Sequence, residues 1–202
     1  MEHQAARIIS RVFNPLAFST YYLFIMFNVR FHFSMAIPEK ARWMILGLVF
    51  ITTFILPGLL MNIFGMIMRK SEKLGAREER LLALVITAIF YLLSYYLVSR
   101  IQLSPIFSLF ILGSTTLIVA TLVISLFWNI SAYAIGTGAL FGAFLGLHLT
   151  LNIDLLLLLF FALLAGGATG FSRLKMEKHT PAQFYTGFII GAVGMLAHFL
   201  YL

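Results

Sequence analysis

The sequence predicts an all-α integral membrane protein, a polytopic bundle of six or seven transmembrane helices. The chain is 61% hydrophobic and only 10% charged, whereas soluble domains are about half apolar and a quarter charged. Apolar runs of about 20 residues recur along it, and a helix of that length crosses about 30 Å of hydrocarbon. The runs are continuously apolar and do not alternate, which favours helices over a membrane β-barrel.

The apolar runs give seven candidate spans within a single integral membrane domain, residues 1–202. In chain order they are 15–36, 42–67, 81–99, 105–128, 131–150, 153–171 and 182–202. The first is the least regular, because Arg30 would have to snorkel or find a partner near its end. An interfacial helix is the alternative for this segment. Pro15, Arg30 and His32, with no small-residue cleavage site, argue against a cleavable signal peptide.

Polar residues are concentrated in three short islands between the spans. The first island is 69–80 (RKSEKLGAREER), with five basic and three acidic residues, and another is 172–181 (SRLKMEKHTP). The third, 129–133 (NISAY), is uncharged. With seven spans, the alternation of direction places all three islands and the N-terminus on one membrane face. The islands would therefore share one surface, as a site built from loops requires.

The basic residues give a first orientation of the bundle. Ten of the 14 Lys and Arg residues lie on the island face and four on the other, so the positive-inside rule makes the island face cytoplasmic. If Lys70, Arg77 and Arg173 are set aside as site residues, seven basic residues remain on the island face against four on the other. The sidedness of the protein then stays open. The net charge of +7 lies in short connections, which indicates lipid headgroups or an anionic substrate and not nucleic acid. With no cysteine, disulfides and thiolate metal sites are excluded.

Each island carries a feature that suits an anion. Lys70 and Arg77 are seven residues apart and would face the same way on a helix, and Arg binds phosphate as a bidentate fork. Ser131 is placed to cap the fifth span, where a helix start exposes N–H groups. His179 follows Arg173 at the start of the last span, where an imidazole can attack phosphorus. Taken singly, the three features are also explained by an anchor patch, a helix cap and an inert interfacial histidine.

At these residues the sequence resembles the type-2 phosphatidic acid phosphatase superfamily of integral membrane lipid phosphatases. The family motifs are K-x6-R-P, P-S-G-H and S-R-x5-H-x3-D. The corresponding segments here are Lys70-x6-Arg77-Glu78, Ile130-Ser131-Ala132-Tyr133 and Ser172-Arg173-x5-His179-x3-Gln183. The resemblance covers roughly residues 65–195. Its most specific part is the third motif together with Gly187 and Gly191 of the following helix.

The resemblance implies a phosphatidic acid phosphatase-like core and a metal-independent hydrolase of phosphoric monoesters or diphosphates. Four positions would bind the substrate phosphate, namely Lys70, Arg77, Ser131 and Arg173. His179 would be the nucleophile and form a phosphohistidine, with Tyr133 and Gln183 at the family's other two catalytic positions. Neither a cofactor nor a metal is expected. The substrates implied are phosphorylated lipids such as phosphatidate, phosphatidylglycerophosphate, polyprenyl diphosphate or lipid A, which would place the chain in phospholipid metabolism.

Three positions depart from the family motifs. Tyr133 stands where the family has the histidine that protonates the leaving oxygen, and a phenol is a poorer general acid near neutral pH. Gln183 replaces the aspartate that would orient His179 and stabilise its positive charge. Glu78 replaces a proline and puts an anion beside Arg77. Two functions therefore stay open. One is a lipid phosphatase, and the other is a catalytically lapsed (inactive) membrane protein that binds lipid phosphate or has a regulatory role.

Small residues recur every four positions in two spans, at Gly138, Gly142 and Gly146 and at Gly166 and Gly170. Such stripes let a neighbouring helix approach closely, and we expect membrane lipids as partners and a homo-oligomer formed through the glycine-rich helices. We expect a multi-pass protein of a bacterial inner (plasma) membrane. A transporter or channel is less favoured, because apart from Arg30, near one end of its span, the spans carry no ionisable residue deep enough to mark an ion path.

Overall fold

The computed structural model describes residues 2–29, 37–69, 75–101 and 103–200, and within them the chain contains helices and no strand. The helices, in chain order, are α1 (Glu2–Val12), α2 (Phe18–Asn28), α3 (Glu39–Phe50), α4 (Leu56–Arg69), α5 (Ala76–Ser99), α6 (Pro105–Ser125), α7 (Ala132–Leu151), α8 (Leu156–Lys175) and α9 (Pro181–Leu200). A 3-10 turn, Pro15–Ala17, precedes α2, and a π-helical segment, Ile51–Ile55, joins α3 to α4.

Six helical stretches in the described residues are long and apolar enough to cross a bilayer. They are Glu39–Met66, Arg77–Ser99, Pro105–Ser125, Ala132–Leu151, Leu156–Lys175 and Pro181–Leu200. The protein is therefore an integral, multi-pass membrane protein, as its composition predicts. The last six predicted spans agree with these helices to within a few residues at each end.

The first predicted span, 15–36, is described only in part. Its described portion holds the 3-10 turn and α2, which has 11 residues and a rise of about 16 Å, too short to cross a bilayer alone. Residues 30–36 lie outside the described residues. The seventh span and its interfacial alternative both stay predictions.

The first polar island is not a continuous helix. Gly75 has an extended backbone (φ −74°, ψ 160°) and precedes α5 as its N-cap, and its N–H donates to Oε2 of Glu78 at 3.1 Å. Arg77 therefore lies in the first turn of α5. Lys70 and Arg77 were expected to face the same way if one helix joined them, and the extended backbone at Gly75 shows that no continuous helix does. Lys70 itself lies outside the described residues.

The second polar island begins inside a helix. Ser172 and Arg173, predicted to lie in a loop, form part of the last turns of α8. The helix then ends in a Schellman motif: the N–H of Lys178 donates to the oxygen of Arg173 at 3.1 Å, and that of Glu177 to the oxygen of Leu174 at 3.0 Å. Glu177 has a φ of 52°, the conformation that this motif requires at its first residue past the helix. The loop is therefore shorter than predicted, and Arg173 is held on a helix.

The chain divides into two compact units, which we call the terminal unit (Met1–Phe18 and Phe127–Leu202) and the middle unit (Ser19–Leu126). In the middle unit, aromatic rings form the contact between α2 and α6. Tyr22 stacks on Phe110 with ring centroids 3.9 Å apart and planes within 6°, and its hydroxyl donates to the main-chain oxygen of Ile106 at 3.2 Å. Phe27 packs on Phe107 with centroids 4.9 Å apart.

In the terminal unit, glycines form the contact between α7 and α9. A Cβ added at Gly138 or Gly142 would collide with the main chain of α9, and one added at Gly191 would collide with the main chain of α7. The predicted close approach of a neighbouring helix is thus confirmed, and the neighbour belongs to the same chain. The homo-oligomer stays a prediction, since these glycine faces of α7 and α9 already cover each other.

Candidate functional site

The candidate site lies at the end of the terminal unit where α7 and α9 begin. Ser131 is the N-cap of α7, as predicted, and its Oγ accepts the N–H of Ala134 at 3.4 Å. Its own N–H donates to the main-chain oxygen of Gln183 at 3.4 Å, so the two helix starts lie side by side. Helix starts carry unpaired N–H groups and the positive ends of helix dipoles, and an anion is stabilised there. Ser131 is fully buried, so its hydroxyl serves the cap in this structure.

The start of α9 is a capping box. Oγ1 of Thr180 accepts the N–H of Gln183 at 3.3 Å, and Oε1 of Gln183 accepts the N–H of Thr180 at 3.1 Å. Pro181 occupies the first helical position, where its missing N–H costs nothing. The side-chain oxygen of Gln183 therefore stabilises the helix start, which is a different role from the orienting one that the resemblance implies.

The ring of His179 is held by a main-chain group. Its Nδ1 lies 3.2 Å from the carbonyl oxygen of Asn129, in the connection before α7. A carbonyl oxygen only accepts, so this hydrogen bond puts the ring proton on Nδ1 and, in the neutral ring, the lone pair on Nε2. His179 is partly exposed. Its neighbour Asn129 thus provides the orienting oxygen that the sequence reading assigned to Gln183.

The guanidinium of Arg173 is clamped between two side chains of the terminal unit. Its central carbon lies 4.1 Å from the ring centroid of Tyr133, a cation–π contact, and its Nη1 donates to Oγ of Ser10 at 3.1 Å. The Nε atom is buried and has no hydrogen-bond partner among the described residues. The face of the Tyr133 ring therefore supports Arg173, in addition to any part its hydroxyl plays.

The motif serine next to Arg173 has a partner far away in the sequence. Oγ of Ser172 is fully buried and donates to the main-chain oxygen of Ala6 in α1 at 2.6 Å. α1 and α8 pack against each other within the terminal unit. The N-terminal helix thus reaches the same end of α8 that carries Arg173.

Arg77 belongs to the middle unit. It is exposed, and its Nη2 donates to the main-chain oxygen of Leu126. Leu126 is the last residue of the same middle unit, so this hydrogen bond lies within that unit. Lys70 lies outside the described residues.

The structure brings together five of the seven predicted site residues at one end of the terminal unit: Ser131, Tyr133, Arg173, His179 and Gln183. Sequence reasoning missed Asn129 as a partner of His179, and Ser10 and Ala6 of α1 as partners of the third motif. A sequence signal existed for α1, because Ala6 and Ser10 are small residues four apart in an amphipathic segment.

Among the residues that the structure describes, no group of three or more His, Asp or Glu side chains could hold a metal ion. The chain matches no protein-family model, and neither a curated protein nor a solved structure matches it.

Proposed function

We propose that the chain is a membrane-embedded relative of the type-2 phosphatidic acid phosphatases that hydrolyses a lipid phosphate or diphosphate. The observation that carries the proposal is that the second and third motifs meet where α7 and α9 begin and α8 ends, with His179 and Arg173 each held by specific partners. This placement is what a phosphate site built on the family pattern requires. The phosphatidic acid phosphatase-like core and the bacterial inner membrane belong to the same proposal.

The first step proposed is attack by Nε2 of His179 on phosphorus. The N–P bond forms as the bond from phosphorus to the leaving oxygen breaks. The leaving group is the lipid alcohol, formed when that oxygen takes a proton, or the lipid monophosphate when the substrate is a diphosphate. Water then cleaves the N–P bond, releasing inorganic phosphate and restoring the imidazole. The hydrogen bond from Nδ1 to Asn129 keeps the attacking nitrogen in its basic tautomer throughout.

The negative charge of the phosphoryl group needs fixed positive partners. Arg173 supplies a full charge, and the starts of α7 and α9 supply N–H groups and dipole ends. Arg77 and Lys70 would add charge from the first motif. In this scheme the phenol of Tyr133, at the family's proton-donor position, protonates the leaving oxygen. The partners are then a phosphorylated lipid and the surrounding membrane lipids, and no nucleic acid.

Phosphate release from phosphatidate and from polyprenyl diphosphate in mixed micelles tests the proposal. The purified wild type should release phosphate with EDTA present, and His179→Ala should lose at least about a hundredfold in kcat. A wild type quenched during turnover should carry an acid-labile phosphoryl group that His179→Ala lacks. His198→Ala, which changes a histidine of the same helix bonded to the oxygen of Gly194, is the matched control and should keep full activity. Equal release by wild type and His179→Ala would refute the enzymatic proposal.

A catalytically lapsed lipid-phosphate binder is the second candidate. It is favoured by the observation that Gln183 caps α9 and the Tyr133 ring supports Arg173, so both variant positions have structural uses. Wild type would then bind vesicles rich in phosphatidate and release no phosphate. The double variant Tyr133→His, Gln183→Asp should gain phosphate release if only these two groups are lacking. Phosphate release by the wild type excludes this candidate.

A further inference from the structure

The N-terminal helix α1 presents one narrow buried face. Ala6 is fully buried and Ser10, one turn later, is 8% exposed, whereas the flanking Arg7 and Arg11 are exposed. Positions four apart lie on the same side of a helix. The buried side of α1 is therefore the one that carries Ala6 and Ser10, and α8 is the helix that it packs against.

Two hydrogen bonds between α1 and α8 involve consecutive residues of the third motif, Ser172 and Arg173. Ser172 donates to the oxygen of Ala6 at 2.6 Å, and Arg173 donates to Oγ of Ser10 at 3.1 Å. The first bond fixes the position of α1 on the end of α8. The second uses that position to hold the guanidinium.

The guanidinium depends strongly on the Ser10 contact. Tyr133 covers its face, but a ring face restrains rotation in the ring plane weakly because a cation–π contact has no preferred in-plane direction. Nε is buried and has no hydrogen-bond partner among the described residues, so it supplies no second directional bond there. Ser10 is therefore the group that sets the in-plane orientation of Arg173.

We infer that α1 is a positioning element of the candidate site and that Ser10 is the positioning residue for Arg173. The role of Ser10 in the reaction rests on the function proposed above. In that reaction, Ser10 keeps the guanidinium of Arg173 aligned with the phosphate that His179 attacks. An N-terminal helix that only anchors the chain to the membrane surface would pack on α8 without affecting Arg173.

The first experiment needs no activity and uses the absence of native cysteine. Ser10→Cys in the full chain in liposomes should react with a water-soluble maleimide at least tenfold more slowly than Gln4→Cys, since Gln4 is exposed on the same helix. Adding Arg173→Ala to Ser10→Cys should speed the reaction at least threefold by uncovering the thiol. Equal rates at positions 4 and 10, or no change on adding Arg173→Ala, would overturn the inference whatever the protein's activity.

The second experiment measures phosphate release. Ser10→Ala should lower kcat about tenfold with KM within twofold, because a misaligned cation stabilises the transition state less while lipid binding is unchanged. Ser10→Thr restores the hydroxyl and should recover most of the rate. Ser99→Ala removes an exposed serine hydroxyl that donates to the main-chain oxygen of Tyr96 in its own helix, and should act as wild type.

Suppose that Ser10→Ala does not change the kinetics even though the thiol of Ser10→Cys reacts slowly. In that case α1 would only anchor the chain, and the inference would be overturned. Absence of phosphate release from the wild type would instead refute the proposed enzymatic function, and the labelling rates alone would then decide whether Ser10 and Arg173 are in contact.

Discussion

The two units of this chain are packed in different ways. In the terminal unit, α7 and α9 meet through glycines at which even a Cβ would collide with the partner's main chain. In the middle unit, α2 and α6 meet through aromatic rings, as in the stack of Tyr22 on Phe110. At the glycine contacts the main chains approach so closely that an added side chain has no space, whereas a contact between side chains can accept another apolar side chain of similar volume.

The difference bears directly on where the candidate site lies. The starts of α7 and α9 are adjacent because the glycine contact sets both the distance and the register of the two helices. Ser131 and Gln183 can therefore share a main-chain hydrogen bond. The unit with rigid packing carries His179 and Arg173, so we expect changes in its packing to act on the site as well as on stability.

The largest effect is expected from Gly142→Leu, which breaks the glycine contact. The new side chain would collide with the main chain of Ala192, and we expect a loss of more than about 3 kcal/mol in the free energy of unfolding together with loss of any phosphate release. Gly167→Leu is the matched control, since nothing lies within 4 Å of a Cβ at Gly167, and should change stability by less than about 0.5 kcal/mol. Thermal unfolding in detergent measures both. A stable Gly142→Leu protein would contradict the comparison.

A smaller effect is expected from Phe110→Leu in the middle unit. The substitution keeps an apolar side chain of similar volume and loses the ring stack on Tyr22, so unfolding should become easier by about 1.5 kcal/mol. Phosphate release at temperatures well below the transition should be unchanged. Phe64→Leu changes a ring that is 36% exposed and serves as the control. If Phe110→Leu lowered the free energy of unfolding as much as Gly142→Leu, the two units would not differ in how well their helix contacts tolerate substitution.

The smallest effect is expected from Thr180→Ala, at the start of α9 in the terminal unit. It removes the oxygen that accepts the N–H of Gln183, and losing such a cap costs about 1 kcal/mol. The effect should concentrate at the start of α9 and appear as faster amide hydrogen exchange there, because α7 and α9 stay held by glycine contacts further along. Thr116→Ala, which removes a mid-helix hydroxyl in α6, should leave exchange at the start of α9 unchanged. Faster exchange along the whole of α9 would contradict this expectation.

Most of the helical architecture was predictable from the sequence, because span length and continuous apolarity reflect the thickness of the bilayer. The helix starts at Ser131 and Pro181 were predictable for a local reason: cap residues bond to N–H groups two or three residues away. The start of α5 and the end of α8 were placed several residues short, whereas the end of α5 at Ser99 was placed correctly. Charged residues in a first or last turn lower the apolarity of a segment while still favouring the helix, as Arg173 does at the end of α8.

Contacts between residues distant in sequence were not predictable. The bond from Arg173 to Ser10 joins positions 163 residues apart, and that from His179 to Asn129 joins positions 50 apart. Neither leaves a local pattern, since each depends on which helices pack together and at what register. The roles of Tyr133 and Gln183 were inferred from a motif, whereas their contacts are set by the packing of α7, α8 and α9.

The Schellman motif at Glu177 has a consequence for which lipids the protein can serve. The bond from Lys178 to Arg173 folds the short connection back on α8, and the bond from His179 to Asn129 fixes its other end, so the connection acts as a stiff linker. The depth of the imidazole in the membrane is then set by the scaffold. Under the proposed function, a substrate lipid must bring its phosphate to the depth of the imidazole of His179. The distance between the phosphate and the acyl chains of a lipid would therefore decide whether it is a substrate.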